Sequence, residues 1–256
     1  MNVRQIRRSF IEQHLEVAGL RMLEFGAFDY PTYSKAEQNI AYLDFFSKAE
    51  LAALHGATKP ERVQNSIDVD FVVKEREFAR NLSERFDLLI ANHVIEHIPD
   101  LIRWLQNAEK ILHPGGGRIF LSVPDKNYTF DLLRPVSRIG DLILAFEEQL
   151  KSPSLRQVFE HLYYHRPIKA DDVWGGSGKL VQLLSEARYP HARAAWTRAK
   201  AILARDSNVD VHCNVFTYTS FLQLFEELHQ AGYTALKVLH CNEVRPSMNE
   251  FHALLA

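Results

Sequence analysis

The stretch that decides the fold is FDLLIANHVIEHIPD, residues 86–100. Its first seven residues are mostly apolar and predict a strand that is buried on both faces, as strands of a parallel sheet are. The residues that follow contain two histidines four positions apart, with a glutamate directly before the second (His93, Glu96 and His97). The stretch therefore predicts a central strand with a polar turn at its carboxyl end.

The spacing H-x-x-E-H also occurs in a class of zinc hydrolases, where both histidines lie on one face of a helix. Here His93 directly follows the strand, and Pro99 marks the start of a helix six residues later. The string is therefore predicted to be a turn, and only Glu109 on the following helix offers a third ligand. We expect no metal at this position, and we expect His97 to be structural.

Apolar and β-branched segments on both sides of this stretch predict six more strands. They lie at residues 21–27, 39–46, 68–74, 118–124, 234–241 and 250–256. Helical periods occur between them, in an amphipathic helix near the amino terminus, a helix that Pro99 opens, and a helix that Gly232 ends. Strands that alternate with helices predict a doubly wound α/β sheet.

Residues 125–211 interrupt this alternation, because they show helical periods and no clear strand. We interpret them as a helical insertion after the fifth strand, within a single domain of residues 1–256, that covers the carboxyl edge of the sheet as a lid. Between positions 151 and 206 there are ten Lys or Arg residues and five Asp or Glu residues. This excess favours an acceptor that carries phosphate or carboxylate, or else it is a solvated helix face.

The composition excludes several classes of function. A formal net charge of -2 gives no basic field for nucleic acid. The two cysteines provide no disulfide framework, which favours a reducing compartment. No apolar run approaches the roughly 18 residues that a membrane span needs, and the amino terminus makes a poor secretory signal. We therefore expect a cytoplasmic protein without a membrane span.

Two strand ends carry signals for a ligand. Gly26 ends the first strand, and Asp44, eighteen positions later, ends the second. In an open α/β sheet ligands bind at the carboxyl ends of the strands, where a carboxylate can accept both hydroxyls of a ribose. The alternative is that Gly26 forms only a tight turn and Asp44 only caps a helix.

Four strings follow one another in order: LEFGAFDYP (23–31), YLDFFS (42–47), FDLLIANHVIEHIPD (86–100) and ILHPGGGRIFLSVPD (111–125). Together they resemble the class I S-adenosylmethionine-dependent methyltransferases. The chain is most similar to a bacterial group associated with surface-polysaccharide and glycan genes, in which strings like HVIEHVPD and PDKRYTFD recur. The resemblance implies a seven-stranded, mostly parallel, Rossmann-like sheet and S-adenosylmethionine as the cofactor.

The resemblance also implies roles for individual residues. The loop at the end of the first strand would lie under the methionine part of the cofactor, and its glutamate would hold the loop or the ammonium group. Asp44 would bind the ribose, Phe45 or Phe46 would lie against adenine, and residues after the fourth strand would line the sulfonium side. The implied cofactor residues are Glu24, Phe25, Gly26, Ala27, Asp44, Phe45, Val73, Asn92, His93 and Val94.

The chain departs from the family pattern in two places. The loop GAFDYP lacks the second and third glycines of a G-x-G-x-G turn. A pyrophosphate needs bare backbone to approach, so this loss counts against the alternative of a nicotinamide-dependent reductase. Many relatives also place an acid after the third strand to bind the adenine amino group, whereas this chain has VVKEREF there, and that leaves the contact near Val73 in doubt.

We expect methylation of oxygen on a sugar or glycan precursor, or on another hydroxylated small molecule, and nitrogen and carbon stay open as acceptors. A hydroxyl acceptor needs a group that takes its proton. Asp125 after the fifth strand and His212 before the last helix are the candidates, and His161 and His165 are weaker ones. A catalytically inactive partner subunit is the other alternative, and a homodimer is possible.

Overall fold

The computed structural model describes residues 2–75, 77–176, 178–186, 189–205 and 209–256. They include a seven-stranded sheet with the order β3-β2-β1-β4-β5-β7-β6. The strands are β1 (Met22–Phe25), β2 (Ile40–Asp44), β3 (Phe71–Val72), β4 (Leu88–Asn92), β5 (Arg118–Pro124), β6 (Val238–Asn242) and β7 (Glu250–Leu255). The helices are α1 (Val3–His14), α2 (Lys48–His55), α3 (Pro60–Gln64), α4 (Leu101–Ile111), α5 (Ile139–Glu147), α6 (Leu155–Tyr164), α7 (Ala170–Trp174), α8 (Gly178–Ser185), α9 (Ala192–Leu203) and α10 (Tyr218–Gln230).

The sheet is mostly parallel. Strands β1 to β5 pair in parallel, and β7 is antiparallel to both of its neighbours, β5 and β6. The chain order reverses at β1, which lies between β2 and β4, so the crevice at the carboxyl ends of these three strands is the expected ligand position. The predicted doubly wound α/β fold is confirmed.

Each strand places alternate residues on the two faces of the sheet. Leu23 and Phe25 of β1 point into the core formed with α4, where Phe25 packs edge-on against Trp104. Met22 points to the other face and packs in a second core with Phe10 of α1. Glu24 lies on this second face, fully buried, near the carboxyl end of β1.

The turn after β4 has the form that the sequence predicted. His93 adopts a left-handed backbone conformation with φ of 52°, which ends the strand. A short 3-10 helix over Ile95–His97 follows, and α4 begins at Leu101 with the carboxylate of Asp100 as its cap. The H-x-x-E-H string is thus a turn, and its histidines do not share a helix face.

The predicted third strand is longer than the observed one. Only Phe71 and Val72 pair as β3, at the edge of the sheet. Just before them, the backbone N–H of Asp70 donates to the carbonyl of Tyr42, and the carboxylate of Asp70 accepts from the backbone N–H of Tyr42, both at 2.9 Å. The second of these bonds uses a side chain instead of the backbone of β3. An edge strand has a single partner, which limits the length over which it stays paired.

The described part of residues 125–211 contains helices α5 to α9 and no named strand. Helix α5 joins the main core through Leu142, whereas α6 and α9 share a smaller core that includes Val158 and Ala199. The helical character of this region therefore agrees with the sequence, and its role as a lid stays a prediction. None of the described helices is both long enough and apolar enough to cross a membrane.

Candidate functional site

The tip of β1 is a tight turn at Gly26. Its φ of 61° is a conformation that glycine adopts without the clash of a side chain. The backbone N–H of Gly26 donates to the carbonyl of Leu43 at 2.9 Å, so the turn lies against the end of β2. A side chain added at Gly26 would meet Val94, 3.7 Å away, beyond the tip of β4. The tips of β1, β2 and β4 therefore converge.

Glu24 holds the loop that follows this turn. Its carboxylate accepts from the backbone N–H of Thr32 at 2.8 and 3.0 Å and from the hydroxyl of Thr32 at 2.9 Å. The amide of Asn92 donates to the same carboxylate at 2.9 Å, which ties the loop to β4. Burial outweighs these hydrogen bonds and raises the pKa of Glu24 to about 7.

Two buried polar atoms near this point have no hydrogen-bond partner among the described residues, Oδ1 of Asn92 and Oγ of Ser122. These residues are paired across β4 and β5, so their side chains lie on the same face of the sheet. Buried polar groups are normally hydrogen-bonded. The pair therefore fits a polar ligand at the carboxyl edge, and a carbonyl oxygen such as Oδ1 suits an ammonium group.

Asp44 lies at the end of β2, half-buried. Its carboxylate accepts from the backbone N–H of Phe46 at 2.9 Å, and burial raises the pKa of Asp44. Phe45 is partly buried against the core, and the backbone N–H of Val73 donates to the carbonyl of Asp44 at 3.0 Å. The side chain of Val73 is itself buried, so this residue offers a ligand mainly its backbone.

His93 joins two buried carboxylates. Its Nε2 lies 2.6 Å from Glu250 and its Nδ1 lies 3.3 Å from Glu96. Arg7 of α1 and His252 of β7 also bind Glu250. Burial opposes a charged imidazole, but the two carboxylates outweigh it and raise the pKa of His93 to about 9. The side chain of His93 is therefore held by a network that the sequence did not reveal.

A second group of polar side chains lies beside the tip of β4. One potential ligand atom from each of Glu96, His97 and His212 lies within 4.8 Å of the others. The segment that carries His212 is fixed to the turn after β4, because the amide of Asn214 donates to two carbonyls of residues 95–98 at 2.9 and 2.7 Å. This docking brings together residues that are more than one hundred positions apart.

A carboxylate lies beside each histidine of this group, although only His212 forms an aligned hydrogen bond to it. Nδ1 of His212 lies 2.5 Å from Asp131, which is buried, and Nδ1 of His97 lies 2.9 Å from Asp210, which is exposed. The contact with His97 lowers the pKa of Asp210 to about 2. Burial would raise the pKa of Asp131, but His212 and the neighbouring Arg134 outweigh burial and lower it.

Asp125 lies at the end of β5, where its carboxylate caps two turns. One oxygen accepts from the backbone N–H of Asn127 and the other from that of Tyr218, both at 2.9 Å. Burial raises the pKa of Asp125 in spite of these bonds. The residue thus joins the insertion to α10, and its predicted role as a base stays a prediction.

The weaker candidates lie one layer behind His212. Nδ1 of His161 accepts from the backbone N–H of His212 at 3.4 Å, and burial lowers the pKa of His161 to about 3. The ring of His165 stacks on Phe130 at a centroid distance of 5.0 Å. Both histidines belong to an aromatic layer that packs against His212.

Sequence reasoning missed several residues of the site. Arg7 and Glu250 gave no signal, because they are 243 positions apart in the chain. Thr32 is only eight positions from Glu24, but no sequence pattern marks a threonine as the partner of a buried carboxylate. Asp131 ends PDKNYTFD (124–131), which resembles the family string PDKRYTFD, but the string carries no signal for the contact with His212. Asp210 stands two positions before His212, a spacing that carries no signal by itself.

A cavity of about 400 Å³ lies at the opposite edge of the sheet. Arg21, Ile40 and Phe71 line it, at the amino ends of β1, β2 and β3. None of the residues predicted to bind the cofactor lines this cavity. The convergence of the strand tips, and not this cavity, therefore defines the candidate site.

The strand order and the converging tips are those of the class I methyltransferase fold that the sequence resembles. Residues 21–238 match a family model described as a methyltransferase domain, and the chain belongs to this family. The predicted enzyme class, with S-adenosylmethionine as its cofactor, is confirmed at the level of the family.

The chain also resembles individual proteins. Over 126 residues it is 22% identical to a ubiquinone biosynthesis O-methyltransferase of Coxiella burnetii, a match that covers 49% of this chain and 53% of the relative. The chain therefore spans about half the length of this curated relative.

Two solved structures are similar over most of the chain. A putative Zn-dependent alcohol dehydrogenase from Rhodobacter sphaeroides is 15% identical, with a TM-score of 0.48 and coverage of 98% of this chain and 88% of that one. A magnesium protoporphyrin IX methyltransferase from Synechocystis PCC 6803 is 9% identical, with a TM-score of 0.42 and coverage of 98% and 82%. Both TM-scores are below 0.5, so the family assignment depends on the family model.

Proposed function

We propose that this chain transfers the methyl group of S-adenosylmethionine to a hydroxyl oxygen of a small molecule, most specifically a sugar or glycan precursor. The observation that carries the proposal is the convergence of the β1, β2 and β4 tips beside the cluster of Glu96, His97 and His212. When bound, the cofactor supplies a methyl carbon that is already activated by positively charged sulfur. The protein then has to orient two reactants and accept a proton.

The donor would be held by the strand tips. Oδ1 of Asn92 lacks a partner among the described residues, and Glu24 lies next to it, so both suit the ammonium end of the methionine part. Asp44 suits the ribose hydroxyls, because a carboxylate can accept two hydrogen bonds side by side. Phe45 and the backbone of Val73 would border the adenine.

The acceptor would lie on the side of the β4 tip that faces the insertion. We assign removal of the hydroxyl proton to the cluster of Glu96, His97 and His212, of which His212 is the member that the sequence singled out. Asp125 is a weaker candidate, because both of its carboxylate oxygens already accept backbone hydrogen bonds. The name of the Coxiella relative, an O-methyltransferase, supports oxygen as the acceptor atom.

In a more specific version of this proposal, the acceptor carries a phosphate group. Arg193, Arg198 and Lys200 are exposed on α9, whose buried face packs on α6 through Ala195 and Ala199. Cations placed in this way favour an anionic ligand, although a solvated face has the same composition. A labelled-donor screen of matched phosphorylated and unphosphorylated sugars checks this, and equal rates on both would remove the phosphate from the proposal.

Asp44 provides the test of donor binding. We expect Asp44→Ala to weaken the binding of S-adenosylhomocysteine, measured by calorimetry, by about 10- to 100-fold, as loss of a charged hydrogen-bonding group does. The matched control is Asp68→Ala, since Asp68 precedes β3 and its side chain is 89% exposed. Unchanged affinity in Asp44→Ala, or no binding to the wild-type protein, would contradict the proposed donor site.

A further inference from the structure

We propose that Glu96, His97 and His212 bind a divalent transition-metal ion, and that this ion holds the acceptor hydroxyl. The second half of this statement rests on the proposed function, whereas the metal site itself does not. Three potential ligand atoms lie within 4.8 Å of one another, so small movements of the side chains would bring them to the roughly 2.0–2.2 Å that a shared ion requires. Two imidazoles and one carboxylate form a donor set that is common in protein metal sites.

The carboxylate of Glu96 gives an independent reason to expect a cation. Its side chain is 1% exposed, and neither oxygen accepts a well-formed hydrogen bond among the described residues. The imidazoles of His93 and His97 lie 3.3 and 3.9 Å from one of these oxygens. The imidazole of His93 compensates part of the charge of Glu96, but a buried carboxylate without an aligned hydrogen bond is still costly, and a metal ion would offset that cost.

The orientation of the two histidines is that of metal ligands. Ligating histidines usually direct their second ring nitrogen to a carboxylate or a carbonyl, which fixes the ring and its tautomer. Here Nδ1 of His212 is hydrogen-bonded to Asp131 at 2.5 Å, and Nδ1 of His97 lies 2.9 Å from Asp210, although that contact is not aligned as a hydrogen bond. Each ring is therefore left with Nε2 to offer to an ion in the cluster.

The donor set also selects the kind of ion. Imidazole nitrogen suits Zn²⁺, Fe²⁺ and similar ions, whereas Mg²⁺ and Ca²⁺ prefer oxygen ligands throughout. Three protein ligands leave at least one position open, as in catalytic zinc sites. We therefore infer an ion of the Zn²⁺ type with room for one oxygen of the acceptor.

Such an ion would lower the pKa of the hydroxyl that it holds, as it does for bound water. In this form of the mechanism the three residues act as metal ligands and not as the base, so the hydroxyl would lose its proton to solvent water instead. Its oxygen would then form a bond to the methyl carbon. The bond between that carbon and sulfur would break, and its electrons would stay on sulfur as a neutral thioether. Charge and atoms balance without a redox partner.

This site differs from the metal motif that the sequence suggested. In the H-x-x-E-H motif of zinc hydrolases His93 would be a ligand, but here Nε2 of His93 is bound to Glu250 at 2.6 Å. His212 takes its place, from a segment that the motif does not include. The proposal therefore replaces our expectation that the turn after β4 holds no metal.

The test is calorimetric titration of the full chain with Zn²⁺ after removal of bound metal by a chelator. We expect one ion per chain, with affinity at least 100-fold weaker in both Glu96→Gln and His97→Gln. The matched control is His240→Gln, because the ring of His240 stacks on His14 at 3.9 Å and could bind metal on its own. Binding that survives in His97→Gln and disappears in His240→Gln would overturn the proposal.

Circular dichroism shows whether the Glu96 and His97 variants fold. If they do not, a variant outside the cluster can still test the metal site. Asp210 is exposed, so Asp210→Asn should fold normally, and it should weaken Zn²⁺ binding by about tenfold as a positioning residue does. Unchanged affinity in Asp210→Asn would count against the site. S-adenosylhomocysteine is titrated into the same wild-type sample. If the protein binds S-adenosylhomocysteine but not Zn²⁺, the metal site is overturned and the proposed function is not. If the wild-type protein does not bind S-adenosylhomocysteine, the proposed function is overturned instead.

Discussion

At the scale of single residues, the buried glutamate of the β1 tip links stability to pH. The folded state raises the pKa of Glu24 to about 7, above its ordinary value of 4.5, so the native protein binds more protons than the unfolded chain between these pH values. Its contribution to stability is therefore present below pH 4.5 and is lost as the pH rises through 7.

The Glu24→Gln variant removes this titration. We expect its free energy of unfolding, relative to the wild-type value, to rise by about 2 kcal/mol between pH 5 and pH 8. Urea denaturation at the two pH values measures the difference. The control is Glu61→Gln on the exposed side of α3, which should follow the wild-type pH dependence. A constant difference between Glu24→Gln and wild type would show that Glu24 does not titrate in this range.

Residues next to a strand end were predictable, and residues brought in by tertiary contacts were not. Gly26, Asp44 and Asn92 directly end or follow their strands, so placing the strands also placed them at one edge. His212 and Asp131 are 81 positions apart, and their contact depends on how a loop docks on the turn after β4. No local pattern encodes that docking.

At the scale of elements, α1 is fixed to the sheet by a buried ion pair. Both guanidinium bonds of Arg7 reach the carboxylate of Glu250, at 2.9 and 2.6 Å. Removing one partner of a buried pair leaves the other charge without compensation. His93 and His252 still contact Glu250 and reduce this cost.

We therefore expect Arg7→Ala to lower the free energy of unfolding by about 2–3 kcal/mol. The control is Lys48→Ala, which removes an exposed ion pair with Asp68 and should cost less than about 1 kcal/mol. Chemical denaturation of both variants tests the comparison. Equal losses would show that burial does not decide the strength of the Arg7 pair.

The elements themselves differed in how well the sequence predicted them. Strands β4 and β5 are buried on both faces, so their apolar runs were clear, and the observed β5 has the predicted bounds. Strand β3 lies at the edge, where its sequence gave no information on how soon pairing ends. Helices α6 and α9 of the insertion pack on each other. Helical periods in the sequence predict that such helices form, but they do not predict where the helices pack.

At the scale of the whole molecule, the strand order concentrates every candidate group at one edge of the sheet. The reversal of chain order at β1 opens the crevice, and the antiparallel β7 begins at the same edge, so Glu250 lies there too. The insertion leaves β5 at this edge and returns with His212. The proposed donor and acceptor sites therefore draw on residues from Glu24 to His212.

Ligand-induced stabilisation distinguishes three hypotheses for the function of the chain: a methyltransferase, a nicotinamide-dependent reductase, and an inactive partner subunit. A ligand that binds only the folded state, at about 100 times its dissociation constant, adds about 2.7 kcal/mol. For a chain of this size that corresponds to a rise in Tm of roughly 5–10 °C. We expect this rise with S-adenosylhomocysteine and no rise with NAD⁺, because the β1 loop lacks the glycines that a pyrophosphate needs. A rise with NAD⁺ alone would favour a reductase, and no rise with either ligand would favour a partner subunit that keeps only the fold.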